Sequence, residues 1–372
     1  MDALELLLII VILNLFGAFG VPAMVYVLIR RGHSVAKTIR GAVVVVAQTM
    51  VVTLVLLALL AYQLSASSGG SYYRYANYSL EGIIYSLGFV ATILGIIFLL
   101  QYLISPFIAT RGMSLRAPGP EEAWLYDVLE EVKRSTGFRG KVKLLIAETD
   151  YANAFATSNI FTKRIVVTRG LLKALNRDEV KAVIAHELGH IANRDTAYML
   201  AVSLIPSILL MYGFSFFEVG RGLGYAASYD YDYYRSSYNS LAALLLMIIG
   251  FWLIVIGGLL ELPVLGFSRL REHLADIYSV KALRSTLIAQ ALQKIEAYDA
   301  QLHQQLLAMG YQIKSSPSIR RMLYIVPAPA VIEWSLTRST HPPTEARIFI
   351  VRRYYKELYY KELRRQSSTS TR

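Results

Sequence analysis

Two histidines and a glutamate in the middle of the chain have the types and the spacing of a metal site. His186 and His190 are four residues apart, so that on a helix both imidazoles lie on one face, one turn apart. Two neutral imidazoles can hold Zn2+ in this way, and Glu187 can reach a water molecule on the metal. The metal would lower the pKa of that water toward about 7, and Glu187 could take its proton and pass one to a leaving amine. The spacing therefore predicts hydrolytic zinc chemistry, although so short a pattern also arises by chance among surface and core histidines.

The residues around the motif predict the helix that it needs. Asn176 can cap the first free amides, and Glu179, three residues on, completes a capping box. Asp178 adds negative charge at the positive end of the helix dipole. We therefore predict a helix within 176–195 that carries both histidines and Glu187.

The composition indicates a membrane protein. Hydrophobic residues make up 55% of the 372 residues and charged residues only 17%. The absence of cysteine excludes disulfides and thiolate ligands, so any metal must be held by histidines and carboxylates. The net charge of +12 fits the Lys and Arg of cytoplasmic segments, and since no nucleic-acid-binding motif is present we expect no nucleic-acid partner.

Long uncharged apolar runs predict five transmembrane helices and a lipid bilayer as the surroundings of the chain. The linker after the first run has four basic residues and no acid, so it should face the cytoplasm and the N-terminus should lie outside. Asp2 and Glu5 precede the first run, which argues against a cleaved signal. The runs lie at about 6–29, 41–64, 82–108, 196–217 and 236–260.

These runs divide the chain into membrane and soluble parts. We expect a membrane region at 1–110, a first soluble part at 111–196, two spans within 197–262, and a second soluble part at 263–365. The polar tail at 366–372 is predicted to be disordered.

The two later crossings return the chain to the compartment of His186. There Glu272 and Asp276, four residues apart, share a helical face. Glu272 is the candidate third zinc ligand, and Asp276 can hydrogen-bond a ligating imidazole and fix its tautomer. The alternative is an acidic pair on a solvated helix, with His273 as a bystander.

Two strand-like segments precede the helix of the two histidines. Lys141–Ala147 and Arg164–Thr168 are rich in β-branched residues and bracket Asn153–Thr157. We predict a small sheet in front of the metal helix.

Four separate stretches resemble the HtpX family of membrane zinc metalloproteases, which are relatives of the CAAX prenyl proteases. The stretches are Asn153–Thr157, Leu175–Asp195, Ser268–Asp276, and Ser339–Pro343 with Arg347. The resemblance implies an α-helical membrane protein with a cytoplasmic α+β zincin-like domain of the gluzincin type. It also implies one zinc ion held by His186, His190 and Glu272, with Glu187 as the catalytic base. The expected substrates are misfolded or damaged membrane proteins.

The same resemblance suggests further site residues. Asn153, Ala154, Phe155 and Ala156 resemble the edge strand to which an extended substrate would add, although an ordinary buried strand explains them as well. His341 is a candidate oxyanion donor, or else part of a His-Pro-Pro helix start. The chain departs from the family in having three predicted N-terminal spans where relatives commonly have two. His273 stands where the family often has an aromatic residue, so it could compete with Glu272 as a ligand.

Three other functions are compatible with parts of the sequence. An intramembrane protease needs the two histidines inside the bilayer, but charged residues flank them on both sides, at 177–181 and 194–195. A prenyl-protein protease shares the chemistry, but five spans offer less of an enclosed chamber. A non-catalytic membrane scaffold or chaperone-like partner would keep zinc only for structure, and structural sites usually have four protein ligands where three are found here. The sequence does not specify the oligomeric state.

Overall fold

The computed structural model describes most of the chain, with gaps that fall mainly in the N-terminal membrane region and before the C-terminal helix. Most of the predicted span at 41–64, about half of that at 82–108, and His341 lie outside the described residues. The described residues are 3–16, 20–42, 45, 92, 95–96, 98–227, 233–309 and 342–370.

Helices dominate these ranges, with one small sheet between residues 115 and 168. The helices are α1 (Ala3–Leu15), α2 (Val21–Arg30), α3 (Phe98–Ile108), α4 (Trp124–Thr136), α5 (Arg169–Ala174), α6 (Arg177–Ala192), α7 (Asp195–Ala227), α8 (Tyr233–Leu283), α9 (Leu287–Ala308) and α10 (Thr344–Ser370). The strands are β1 (Leu115–Arg116), β2 (Lys143–Ala147), β3 (Ala154–Ser158) and β4 (Lys163–Thr168).

Two helices of the described part are long and apolar enough to cross a membrane. They are Asp195–Tyr225, within α7, and Ser240–Leu283, within α8, where the fourth and fifth spans are predicted. Glycines let the two helices approach closely: a Cβ on Gly250 would lie 2.6 Å from the backbone nitrogen of Phe217, and one on Gly213 would lie 2.8 Å from that of Ile254. Close backbone contact at small residues is the usual way in which membrane helices associate. Helices α1 and α2 cover the predicted first span and pack against α8.

The strands form one mixed sheet in the order β1-β2-β4-β3. β2 and β4 run parallel, and β3 pairs antiparallel with β4, with Phe155 opposite Val166. In this order β3 is an edge strand, as the family resemblance implies for Ala154, Phe155 and Ala156, while Asn153 immediately precedes it.

Helix α6 is the centre of the part that is predicted to be soluble. Its predicted capping box is confirmed: the Asn176 side chain accepts the amide of Glu179 at 2.9 Å, and the Glu179 carboxylate accepts the amide of Asn176 at 2.9 Å. The helix packs against the sheet, α4, α8 and α9, and nearly every residue from Val180 to Ile191 is buried. A helix held on all sides fixes the directions of the side chains that it carries.

The C-terminal tail differs from its prediction. Helix α10 continues to Ser370, so residues 366–370 are helical although their composition predicts disorder. Extending an existing helix adds one hydrogen bond for each residue fixed, which a polar sequence can do without a packed face.

Candidate metal centre

The two histidines of α6 point their ring nitrogens at each other. The Nε2 atoms of His186 and His190 are 3.2 Å apart, and both residues are buried. Together with Glu187 they form a group whose ligand atoms all lie within 4.8 Å of one another. This group can bind a metal ion.

Glu272 of α8 completes a triangle with the two imidazoles. Its Oε2 lies 3.6 Å from Nε2 of His186, and its Oε1 lies 3.6 Å from Nε2 of His190. In a tetrahedral zinc site with bonds of about 2.0 to 2.1 Å, neighbouring ligand atoms are about 3.3 to 3.4 Å apart. The donor atoms therefore fit zinc, and the structure brings together the three residues predicted as ligands.

Gly189 lets α8 come close enough to place Glu272 there. A Cβ at this position would lie 3.0 Å from Cβ of Tyr278 and 3.3 Å from Cα of Ala275. Two turns before Gly189 on α6, the Ala182 carbonyl accepts a hydrogen bond of 2.8 Å from the Ser279 hydroxyl of α8, so the two helices are joined at a second point.

We expect Gly189→Ala to weaken metal binding without unfolding the protein. The added methyl must displace Tyr278 and the α8 backbone by a few tenths of an ångström, which moves Glu272 relative to the imidazoles. Zinc affinity, measured by competition with a chelator, should fall, while thermal unfolding of the metal-free protein changes little. Gly222→Ala is the control, because a Cβ at Gly222 meets nothing within 4 Å. Equal zinc affinity in both variants would contradict the expectation.

A carboxylate lies next to the Nδ1 atom of each imidazole, on the side away from the facing Nε2 atoms. Asp276 Oδ1 lies 2.9 Å from Nδ1 of His186, as the sequence predicts for Asp276, and Asp195 Oδ2 lies 2.6 Å from Nδ1 of His190. A hydrogen bond at Nδ1 leaves the lone pair of Nε2 available to a metal and holds the ring in place.

The role of Asp195 was missed from sequence, because it depends on a turn after α6. Arg194 has a backbone φ of 57°, a left-handed conformation that is uncommon for a residue other than glycine. This residue separates α6 from α7 and lets Asp195 turn back to His190, five residues earlier. The only sign of this role in the sequence is an aspartate five residues after the second histidine, and without the turn at Arg194 that spacing does not predict a contact.

Asp195→Asn should lower zinc affinity about 10- to 100-fold, since outer partners of ligating histidines typically contribute that much. The asparagine keeps the size of the side chain but loses the charge that orients the imidazole. Chelator competition measures the effect, and Asp178→Asn, an exposed acid in the first turn of α6, is the matched control. Unchanged affinity in the Asp195 variant would mean that this carboxylate does not support the site.

Two arginines connect these carboxylates to Glu272. Arg347 of α10 donates to both oxygens of Asp276, at 2.8 and 2.6 Å, and its Nη1 lies 3.7 Å from Oε2 of Glu272. Arg271 donates to Oε1 of Glu272 at 3.0 Å and lies 3.6 Å from Asp195. Neither role was predicted from sequence, although Arg347 belongs to one of the four stretches.

The charges of the site favour a divalent cation. The carboxylates of Glu187, Glu272, Asp276 and Asp195 carry four negative charges, and Arg271 and Arg347 supply two positive ones. With both imidazoles neutral, as metal binding requires, the remaining formal charge of about −2 is what an ion such as Zn2+ would neutralise.

The carboxylates of Asp276 and Glu272 change the pKa of the His186 imidazole. Burial alone would lower its pKa, but hydrogen bonds to Asp276 and Glu272 outweigh burial and raise the pKa of His186 to about 9. Metal binding at neutral pH therefore requires a proton to leave this residue.

His273 and Glu272 both lie outside the group of His186, Glu187 and His190 found among the described residues, and of the two it is Glu272 whose oxygens lie 3.6 Å from both imidazole Nε2 atoms. His273 is buried, and its Nδ1 has no hydrogen-bond partner in the described structure. His341, the predicted oxyanion donor, falls in the segment 310–341, which is not described.

The sequence profile of peptidase family M48 matches residues 120–354, which is more than half of the chain. The chain belongs to this family. The match includes every residue placed at the metal centre, and the M48 membership confirms the family resemblance inferred from the four stretches.

Several relatives of this M48 chain are named as homologues of the protease HtpX. It is 36% identical over 216 residues to "Protease HtpX homolog 1" of Sulfolobus acidocaldarius, covering 56% of this chain and 66% of the relative. It is 37% identical over 201 residues to "Protease HtpX homolog" of Aeropyrum pernix, covering 54% and 60%. The matched part thus spans less than two thirds of the length of these relatives.

A solved structure is more distantly similar to this M48 chain. The crystal structure of S. mikatae Ste24p covers 89% of this chain and 79% of that chain, with 18% identity and a TM-score of 0.42. This similarity is too low to support an inference.

Proposed function

We propose that the chain is a membrane-anchored zinc-dependent endopeptidase that cleaves misfolded or damaged membrane proteins. The observation that supports it most is the triangle of His186, His190 and Glu272 with Glu187 beside it. Three protein ligands leave a fourth position for water or substrate, whereas structural zinc sites usually use four.

The residues of the chain would divide the reaction among them. Zinc, when bound, supplies an activated water and polarises the scissile carbonyl. Glu187 takes the proton from the attacking water and delivers one to the leaving amine. Asp276 and Asp195, each next to the Nδ1 atom of one imidazole, hold the two rings so that their Nε2 atoms face the metal position.

Edge strand β3 is the proposed substrate-binding element. Its pairing with β4 leaves its other edge without a strand partner in the described structure. An extended substrate can add to such an edge through main-chain hydrogen bonds. Because β3 also contacts α6, the added strand would pass beside the metal centre.

The membrane placement rests on the two long apolar helices and on the apolar runs outside the described residues. We propose a multi-pass protein with five spans, its active site on the cytoplasmic side and its N-terminus outside. The soluble parts before α7 and after α8 would then form one catalytic domain.

The substrate class can be tested with two substrates presented to the full-length protein in lipid vesicles. We expect a destabilised membrane protein to be cut at internal peptide bonds, with new N-termini identified by mass spectrometry. A prenylated peptide is the comparison substrate. Cleavage of the prenylated peptide with no cleavage of the membrane protein would replace the quality-control role with that of a prenyl-protein protease.

A further inference from the structure

The turn between β3 and β4 presents apolar side chains in a fixed shape. Phe161 is 80% exposed, more than any other large hydrophobic residue of the described structure, and Ile160 is 60% exposed. The turn is held by Asn159, whose Oδ1 accepts the amides of Phe161 at 2.9 Å and Thr162 at 2.7 Å. The exposed pair therefore lies on a structured tip.

The hairpin is attached to the last turns of α3. The side chain of Asn159 donates to the Leu103 carbonyl at 2.8 Å. Arg164 donates to the Pro106 carbonyl at 3.1 Å, and its guanidinium carbon lies 4.8 Å from the centre of the Phe107 ring. These contacts fix the position of the tip relative to the helix axis.

The part of α3 that the hairpin contacts is apolar on its surface. Ile104, Phe107 and Ile108 are 46%, 56% and 46% exposed, and this segment ends the predicted third span. Leu103 precedes the end of α3 by five residues, which is about 7 to 8 Å along a helix. The tip is thus level with the apolar surface of α3 and lies before the first basic residue beyond it, Arg111.

A second contact places the hairpin at the beginning of the other membrane helix. The amide of Ser158 donates to Oγ1 of Thr196 at 3.3 Å, and Thr196 lies in the first turn of α7. The hairpin therefore touches two apolar helices, each at the end that joins the soluble part.

We propose that the β3–β4 hairpin inserts Ile160 and Phe161 into the lipid surface and so holds the edge strand β3 at the membrane boundary. The proposal rests on the membrane anchoring in the proposed function. Lipid suits this tip better than a protein partner, because the apolar surface continues that of α3, and because a basic residue follows each apolar segment, Lys163 two residues after Phe161 and Arg111 three residues after Ile108, as anionic headgroups would favour.

The substrate class follows from this position. A polypeptide that adds to β3 must be extended at the bilayer surface, so the segment recognised is one next to a membrane span. Membrane proteins with unfolded segments of this kind would be favoured over soluble chains of the same sequence.

Depth measurements test the insertion independently of any catalysis. The chain has no cysteine, so a single environment-sensitive fluorophore can be attached to Phe161→Cys in the full-length protein. In vesicles containing nitroxide-labelled acyl chains, we expect a blue-shifted emission and quenching like those of Ile104→Cys on α3. Tyr126→Cys, at an exposed position of α4, is the aqueous control and should show neither effect.

The outcomes separate the proposal from the proposed function. Quenching at position 104 but not at 161 would overturn the insertion and leave the membrane anchoring in place. A blue shift at 161 without quenching by the lipid would indicate a protein contact and would also overturn it. No quenching at either position would remove both the insertion and the membrane placement of α3.

A paired substitution tests the consequence for substrates. Ile160→Ser with Phe161→Ser should lower the cleavage of a membrane-embedded substrate in vesicles several-fold. It should leave cleavage of a soluble unfolded polypeptide in detergent unchanged, because the metal centre is untouched. Tyr126→Ser is the control substitution. Equal rates for both substrates, relative to the unsubstituted chain, would contradict the proposed role of the tip.

Discussion

Replacing Glu187 with glutamine is expected to lower the rate of peptide hydrolysis by about 10²- to 10⁴-fold, the usual contribution of a positioned general base. Glutamine keeps the size of the side chain but cannot accept the proton. Zinc binding should persist, because the triangle of donor atoms consists of His186, His190 and Glu272. The measurement is the initial rate on an unfolded polypeptide, with the zinc content of each sample determined by atomic absorption.

The control for this experiment is Asp178→Asn, which removes an exposed carboxylate from the same helix. That variant should retain both the rate and the metal. A Glu187→Gln protein that loses its zinc would show Glu187 to be a ligand. A variant that keeps the rate would show that another group acts as the base.

Glu272→Gln should instead remove the metal. The substitution takes away one of three ligands and one negative charge, so we expect a loss of zinc affinity larger than the roughly 10- to 100-fold typical of outer partners. Hydrolysis should disappear at zinc concentrations that saturate the unsubstituted chain. Chelator competition and activity, measured on the same samples, check both parts.

Two further variants show which residue on α8 is the ligand. Glu261→Gln lies three turns earlier on the same helix and should leave zinc affinity unchanged. His273→Leu should also keep the metal, because the two carboxylate oxygens of Glu272, each 3.6 Å from an imidazole Nε2, already supply the third ligand. If zinc were lost from the His273 variant and kept by the Glu272 variant, the assignment of the third ligand would be wrong.

The helical parts of the site could be predicted because helix geometry alone relates the residues concerned. A spacing of four residues places His186 beside His190, and the same spacing places Asp276 beyond Glu272. Counting apolar runs predicted that the two pairs share one compartment, and the structure places Glu272 3.6 Å and Asp276 2.9 Å from the His186 ring. The capping box at Asn176 is equally local and was equally predictable.

The remainder depends on relations that sequence patterns do not contain. Asp195 reaches His190 only because Arg194 adopts a left-handed conformation. Arg347 reaches Asp276 from a helix 71 residues further along the chain. Runs of β-branched residues predict strands but not their order, so the placement of β3 at the sheet edge came from the family resemblance. The helical tail at 366–370 was missed since composition carries little information on whether an existing helix continues.

The most direct test of the account is a zinc titration of the metal-stripped, detergent-purified full-length protein, with cleavage of an unfolded polypeptide as the readout. Hydrolysis should rise in proportion to added zinc and level off at about one equivalent, because a single open site of three protein ligands carries the reaction. Tight binding of one zinc without hydrolysis at any ratio would contradict this, and would identify the metal as structural.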